Sequence, residues 1–237
     1  MRKEVLIVKN ITREGPGLLE EILRERGILY RIMDLDKGEN FPPMGGFGAV
    51  VVLGGPDSAN DDSIKMKEEI LRIRETITAG IPFLGICLGL QTMVKATGGR
   101  VTKCPVLEIG FRDVEGIPNS VKLTQAGIGD PLFEGMENSF PVFHLHGETV
   151  ELADNMVLLA TGKYCRNQIV RVGKTAYGLQ CHFELTSEML ETWLQEDPDL
   201  LAMESQKLRE DFHQIQEEYT KVGRNLFQRF LHIAGFP

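Results

Sequence analysis

Residues 82–91, Pro82-Phe83-Leu84-Gly85-Ile86-Cys87-Leu88-Gly89-Leu90-Gln91, carry an apolar run into a cysteine set between two glycines, with a helical pattern behind it. A short apolar run closed by glycine and followed by helical spacing reads as a buried strand, 82–86, turning sharply into a helix, 88–97, which stops at Gly98-Gly99. The same strand-then-helix grammar extends upstream. Residues 5–8 are a β-branched run, 18–26 have helical spacing ending at Gly27, and 28–35 read as a second strand. Residues 49–53 form a third strand closed by Gly54-Gly55-Pro56, and 65–78, introduced by Ser63, are an amphipathic helix ending near Gly80. Strands that are apolar at nearly every position, separated by helices, need cover on both faces. They predict an α/β fold: one three-layer domain with a mainly parallel central sheet flanked by helices.

Downstream the grammar changes. Residues 101–161 break into short β-like pieces punctuated by turn signals at 116–119 and 129–131, which predicts an antiparallel extension of the sheet. Residues 169–172 and 175–181, joined through Gly173-Lys174, read as a hairpin. Thr186 or Ser187 caps a helix to about Gln195, Asp197-Pro198 interrupts it, and 200–222 is mostly helical. The expectation is one domain over 1–237, with a core over 4–195 and a helical C-terminal segment over 199–237.

The 237 residues carry a net charge of -8 and no Lys/Arg-rich run, which argues against nucleic acid as a partner. No apolar segment approaches the length of a membrane span, and the basic N-terminal start is followed by too short an apolar core for a signal segment. Four cysteines, at 87, 104, 165 and 181, have neither Cys-x-x-Cys spacing nor the density of a disulfide scaffold. A reducing cytoplasm is the expected compartment, with any special role belonging to a single thiol. Gly45-Gly46-Phe47-Gly48 precedes a strand and lacks a phosphate-loop lysine, so it reads as a turn. The charged stretch 204–218 reads as a solvated helix face, and Trp193 and Leu194 as core anchors.

The question that remains is Cys87. Free cysteines are usually small buried hydrophobes. Here the Gly-x-Cys-x-Gly spacing at the carboxyl end of a strand follows the logic of a nucleophile elbow, a strained turn that lifts the side chain while small neighbours relieve crowding. A cysteine nucleophile needs a base, and the base needs an orienting group. His182 and Glu184, two residues apart at a strand end in Gly178-Leu179-Gln180-Cys181-His182-Phe183-Glu184, are one candidate pair. His144 and His146, followed by Glu148, are the competitors. The His-x-His pair is also a metal-ligand pattern, but no third ligand stands at a recognisable spacing, so no metal is expected.

Three segments, Leu53-Gly54-Gly55-Pro56, residues 85–91 and residues 178–184, occur in the order and spacing of the class I glutamine amidotransferases. The chain resembles that family over most of residues 4–195, including the glutaminase half of GMP synthase, and Phe143-His144-Leu145-His146-Gly147-Glu148 and the C-terminal helices look most like its stand-alone members. The resemblance implies Cys87 as nucleophile, His182 as base and Glu184 as its orienter. It further implies an oxyanion hole from the N–H groups of Gly55 and Leu88, and substrate contacts at Gln91, His146 and Gly147. The chain departs from the family at Phe183, where proline is common, at Cys181, where a bulky aromatic is frequent, and at Leu145, which replaces a polar residue.

The implied activity is hydrolysis of the γ-amide of glutamine through a cysteinyl thioester, with no cofactor, the ammonia passing to a separate synthetase. Two other readings stand beside it: a γ-glutamyl peptidase acting on γ-glutamyl peptides or conjugates, and a catalytically silent regulatory module.

Overall fold

The computed structural model describes residues 3–43 and 45–237; Met1 and Arg2, the start of the basic N-terminus, lie outside the described residues. The first half builds the parallel part of the sheet from β1 (Glu4–Lys9), β2 (Tyr30–Asp34), β3 (Phe47–Val52) and β4 (Phe83–Ile86). Between them run α1 (Leu18–Glu25), α2 (Ile64–Thr78) and, after β4, α3 (Leu88–Ala96). Successive strand residues point to opposite faces, and here both faces are dry. Val5, Ile7, Val51 and Leu84 join one apolar core, whereas Leu6, Val8, Val50 and Phe83 join another. That double burial is why these strands read as continuous apolar runs. Each fully buried branched side chain contributes about 1.5–3 kcal/mol.

The second half adds β5 (Arg100–Gly110), β6 (Ser120–Leu123), the short α4 (Gln125–Ile128), β7 (Ser139–Pro141), β8 (His144–Glu151), β9 (Met156–Thr161), β10 (Asn167–Val172) and β11 (Ala176–Leu179). The nine-stranded sheet has the order β2-β1-β3-β4-β11-β10-β9-β6-β7. Pairing is parallel from β2 to β11 and antiparallel from there to β7. β5 and β8 form a separate two-stranded antiparallel ribbon. The chain ends in α5 (Ser187–Glu196), α6 (Pro198–Leu201) and α7 (Ser205–Ile233). α1 and the second half of α7 cover one face, through Leu19 and Ile22 and through Leu226, Phe227 and Phe230. α2 and α3 cover the other, through Met66, Ile73, Leu90 and Met93.

This is the expected three-layer α/β domain, with four local corrections. The hairpin strand stops at Leu179, so His182 and Glu184 lie on an irregular segment, tied to Phe143 by an isolated bridge. Asp197 does break a helix, but it also starts one: its carboxylate accepts from the Asp199 and Leu200 N–H groups and caps α6. The last helix runs eleven residues past the predicted end at 222, because Leu226, Phe230 and Leu231 continue the buried stripe. Finally, two cysteines are not single thiols: Cys104 on β5 and Cys165 in the turn between β9 and β10 are disulfide-bonded, with Cα atoms 6.0 Å apart. A ladder irregularity between Lys103 and Glu108 accompanies that pairing, and a 61-residue separation leaves no motif to read. The pairing also removes unpaired cysteines as an argument for a reducing compartment. Among the described residues, no helix is long and apolar enough to cross a membrane.

Candidate active site

The strand order reverses between β1 and β3, and functional groups in open α/β sheets gather beyond the carboxyl ends of the strands at such a point. Asn10 after β1, Gly54 and Gly55 after β3, and Cys87 after β4 all arrive there. Cys87 has φ 53° and ψ -106°, and it is the one non-glycine residue with positive φ among the described residues. Such backbone costs about 1–3 kcal/mol and persists only where its surroundings hold it. Here the Cys87 N–H donates to the Leu179 carbonyl at 2.7 Å, while the Cys87 carbonyl accepts from the Leu90 and Gln91 N–H groups. The flanking glycines let α3 start hard against the sheet. A Cβ on Gly85 would lie 2.2 Å from the Gly89 carbonyl oxygen, and one on Gly89 would lie 2.2 Å from that of Val52.

Around this bend the three predicted triad residues come together. His182 Nδ1 is 2.6 Å from Glu184 Oε1, and both side chains are buried. The Phe183 N–H donates to Glu184 Oε2 at 2.9 Å, a bond that proline at this position cannot make. The carboxylate therefore curls back to the imidazole without help from strand alternation. His182 Nε2 has no hydrogen-bond partner among the described residues, and the imidazole lies beside Cys87 and Glu14 at Gly54, where an added Cβ would crowd all three. Burial pulls His182 down, but Glu184 and Cys87 outweigh it and hold the imidazole well above its ordinary value. Phe143 and Trp193 pack edge-on against the ring, and Tyr219 on α7 donates its hydroxyl hydrogen to the His182 carbonyl at 2.8 Å.

A cavity of about 310 Å³ opens at Cys87 and is lined by Gly55, Gln91 and residues 145–148 among others. Leu88 lies in the first turn of α3, whose N–H groups have no intrahelical partner and face anions well. Gln91 donates to the Glu148 carbonyl at 3.3 Å and to Gln180 Oε1 at 3.4 Å. Gly147 and His146 both border the cavity, but the His146 ring is engaged with His144, Glu108 and the Glu148 carbonyl. Leu145 borders it too, its carbonyl 3.7 Å from Cys87 Sγ. The competing histidine pair lies on β8 within the ribbon, its rings set against each other and His146 against Glu108. Cys181 is buried in the core, which pushes its thiol well above the ordinary range.

Two residues in the site escape the sequence reading. Gln180 donates its amide to Cys87 Sγ at 3.7 Å and so links Gln91 to the thiol; its place inside the quoted segment 178–184 was the available signal. Glu14 borders the cavity with one oxygen buried and without a hydrogen-bond partner among the described residues, and burial pushes its carboxyl up to about 7, against the pull of His182. Nothing in its local sequence marks it, because it reaches the site through a loop between β1 and α1.

Similarity to known proteins agrees with this architecture. The family model for class-I glutamine amidotransferases matches residues 17–197. The chain is 32% identical over 195 residues to the glutamine amidotransferase-like protein YfeJ of Salmonella typhimurium, covering 80% of this chain and 79% of that one. It is 31% identical over 188 residues to the GMP synthase of Lactobacillus johnsonii, but spans only 32% of that enzyme's length. A crystal structure of a glutamine amidotransferase from Thermotoga maritima superposes with a TM-score of 0.86 at 28% identity, covering 98% of this chain and 99% of that one. With the family model covering most of its length, this chain belongs to the class-I glutamine amidotransferase family.

Proposed function

We propose that the protein hydrolyses the γ-carboxamide of glutamine, or of a closely related γ-glutamyl compound, through a thioester on Cys87. The observation that carries this reading is the meeting of a strained cysteine with an imidazole whose other nitrogen is held by a buried carboxylate. His182 Nε2 takes the proton from Cys87 Sγ as the sulfur bonds to the amide carbon. The oxygen that becomes negative is received by the N–H groups of Gly55 and Leu88, each such donor being worth about 3 kcal/mol of barrier. When the carbon–nitrogen bond breaks, His182 returns the proton to the nitrogen, and ammonia leaves behind a γ-glutamyl thioester. Water then attacks the thioester carbon while His182 accepts its proton, and transfer of that proton to Sγ frees glutamate and restores the thiol. Glu184 keeps the imidazole in the tautomer that presents Nε2 to the sulfur. Gln91, His146 and Gly147 border the cavity that would take the γ-glutamyl group, with Gln180 behind Gln91, and a separate synthetase is the natural consumer of the ammonia.

The test is intact-mass analysis after incubation with a glutamine-mimicking electrophile such as a diazoketone, followed by ammonia-release assays on glutamine and on γ-glutamyl dipeptides. One adduct on the wild type and none on Cys87→Ala is expected. Equal labelling of both proteins, or none of either, would sink the assignment. Turnover of dipeptides without turnover of glutamine would keep the thioester and change the substrate.

A further inference from the structure

The β5–β8 ribbon brings together three buried side chains that the proposed hydrolysis does not use as acid, base or nucleophile. In its antiparallel register Glu108 faces His146 and Gly110 faces His144. Residues two apart on a strand share a face, so both imidazoles and the Glu108 carboxylate converge. His146 Nε2 lies 3.2 Å from His144 Nδ1 and 3.3 Å from Glu108 Oε2. One nitrogen from each ring and one carboxylate oxygen all lie within 4.8 Å of one another. All three residues are at least nine-tenths buried.

The distances have a simple meaning. Nitrogen and oxygen ligands bound to a tetrahedral zinc-type ion at about 2.0–2.1 Å stand about 3.3 Å apart along an edge. Two such edges are already present here. The tautomer fits as well. His146 Nδ1 is 3.2 Å from the Glu148 carbonyl, which can only accept, so in the neutral ring Nδ1 carries the hydrogen and Nε2 keeps its lone pair. That is the orientation in which an outer carbonyl fixes a ligating imidazole. Glu108 Oε2 is held in turn by the Gln168 amide at 3.4 Å. A lone pair on Nε2 that faces both His144 Nδ1 and a carboxylate oxygen in a dry site is met either by a proton on His144 Nδ1 or by a cation held among the three groups.

From this cluster we propose that Glu108, His144 and His146 bind one divalent transition-metal ion, with two imidazoles and one carboxylate favouring Zn2+. The site is separate from the hydrolytic chemistry but shares its scaffold, since β8 supplies both the ligands and the wall of the cavity at residues 145–148. A bound ion would pin that wall to β5.

The experiment is titration of the full-length chain with Co2+ and with Zn2+, following visible d–d absorption for Co2+ and heat for Zn2+. A Cys87→Ser background removes the thiol of the active site as a competing soft ligand. Stoichiometric binding that persists in this background, and weakens roughly 100-fold or more in Glu108→Gln and in His144→Phe, supports the site. Wild-type binding no tighter than about 100 µM overturns it, whatever the variants do. Binding that appears only after reduction, and is lost in Cys104→Ser but not in Glu108→Gln, assigns the metal to the thiols and also overturns it. Circular dichroism and urea midpoints of both variants separate loss of a ligand from loss of fold, and Glu108→Gln keeps shape and the contact with Gln168.

Discussion

Glu14 is the sharpest test of the electrostatics beside Cys87. Its carboxyl, ordinarily near 4.5, is pushed up to about 7 mainly by burial, with His182 pulling the other way. Between those values the folded protein keeps a proton that the unfolded chain has released. The stability tied to that proton is complete below about pH 4.5 and is lost as pH rises through about 7. At about 1.4 kcal/mol per pH unit, the full loss is about 3 kcal/mol, and the part falling between about pH 5.5 and about pH 8.5 is about 2 kcal/mol. Glu14→Gln has no proton to lose and nearly the same shape. Its stability relative to the wild type should therefore rise by about 2 kcal/mol from the lower to the higher pH, measured by urea unfolding with linear extrapolation. Glu69 is raised to about 7 as well, chiefly by its own burial, but it is present in both proteins and cancels in the difference. A Glu14→Gln difference that is the same at both pH values would refute the reasoning, because it would mean that Glu14 does not change its protonation differently in the folded and unfolded states.

Four further outcomes follow from the same contacts. Glu184→Gln should lower kcat by about 100- to 10,000-fold. With burial then opposed chiefly by Cys87, the limb of the kcat/KM profile set by His182 should move to lower pH. Phe183→Pro removes the N–H that holds Glu184 Oε2 and should cost about tenfold in kcat or more, whereas Phe183→Leu, which keeps that N–H, should retain most of it. Tyr219→Phe loses the hydrogen bond to the His182 carbonyl and should lose about 1 kcal/mol in urea unfolding, with kcat reduced and KM little changed. Replacing Cys104 and Cys165 by serine opens a link across 61 residues, and urea unfolding of the oxidised protein against this variant should differ by up to about 4 kcal/mol on chain-entropy grounds.

What the sequence reveals and what it hides divide along one physical line. The parallel sheet is legible because double burial makes its strands apolar throughout, as in Val5 to Val8, and the elbow is legible because close approach to Val52 and Gly89 admits only glycine at 89 and 85. Both are demands that a residue's immediate neighbourhood places on its type. Glu14, Tyr219 and the Cys104–Cys165 link answer to partners far along the chain, and such contacts impose no period or spacing. The stretch 204–218 shows how a correct local reading can miss a role. Its charged residues are largely solvated, as alternating signs predict, yet the same helix continues through Tyr219, buried on the His182 carbonyl, and Gly223, where a Cβ would stand 2.4 Å from the Phe183 carbonyl oxygen. α7 thus presses on the segment 182–184 from behind, at the point where the chain leaves β11 without a strand to hold it. The C-terminal helix is in this sense a positioning element for the site, and its length is explained by the reach from that segment to the apolar face that Phe227 and Phe230 cover.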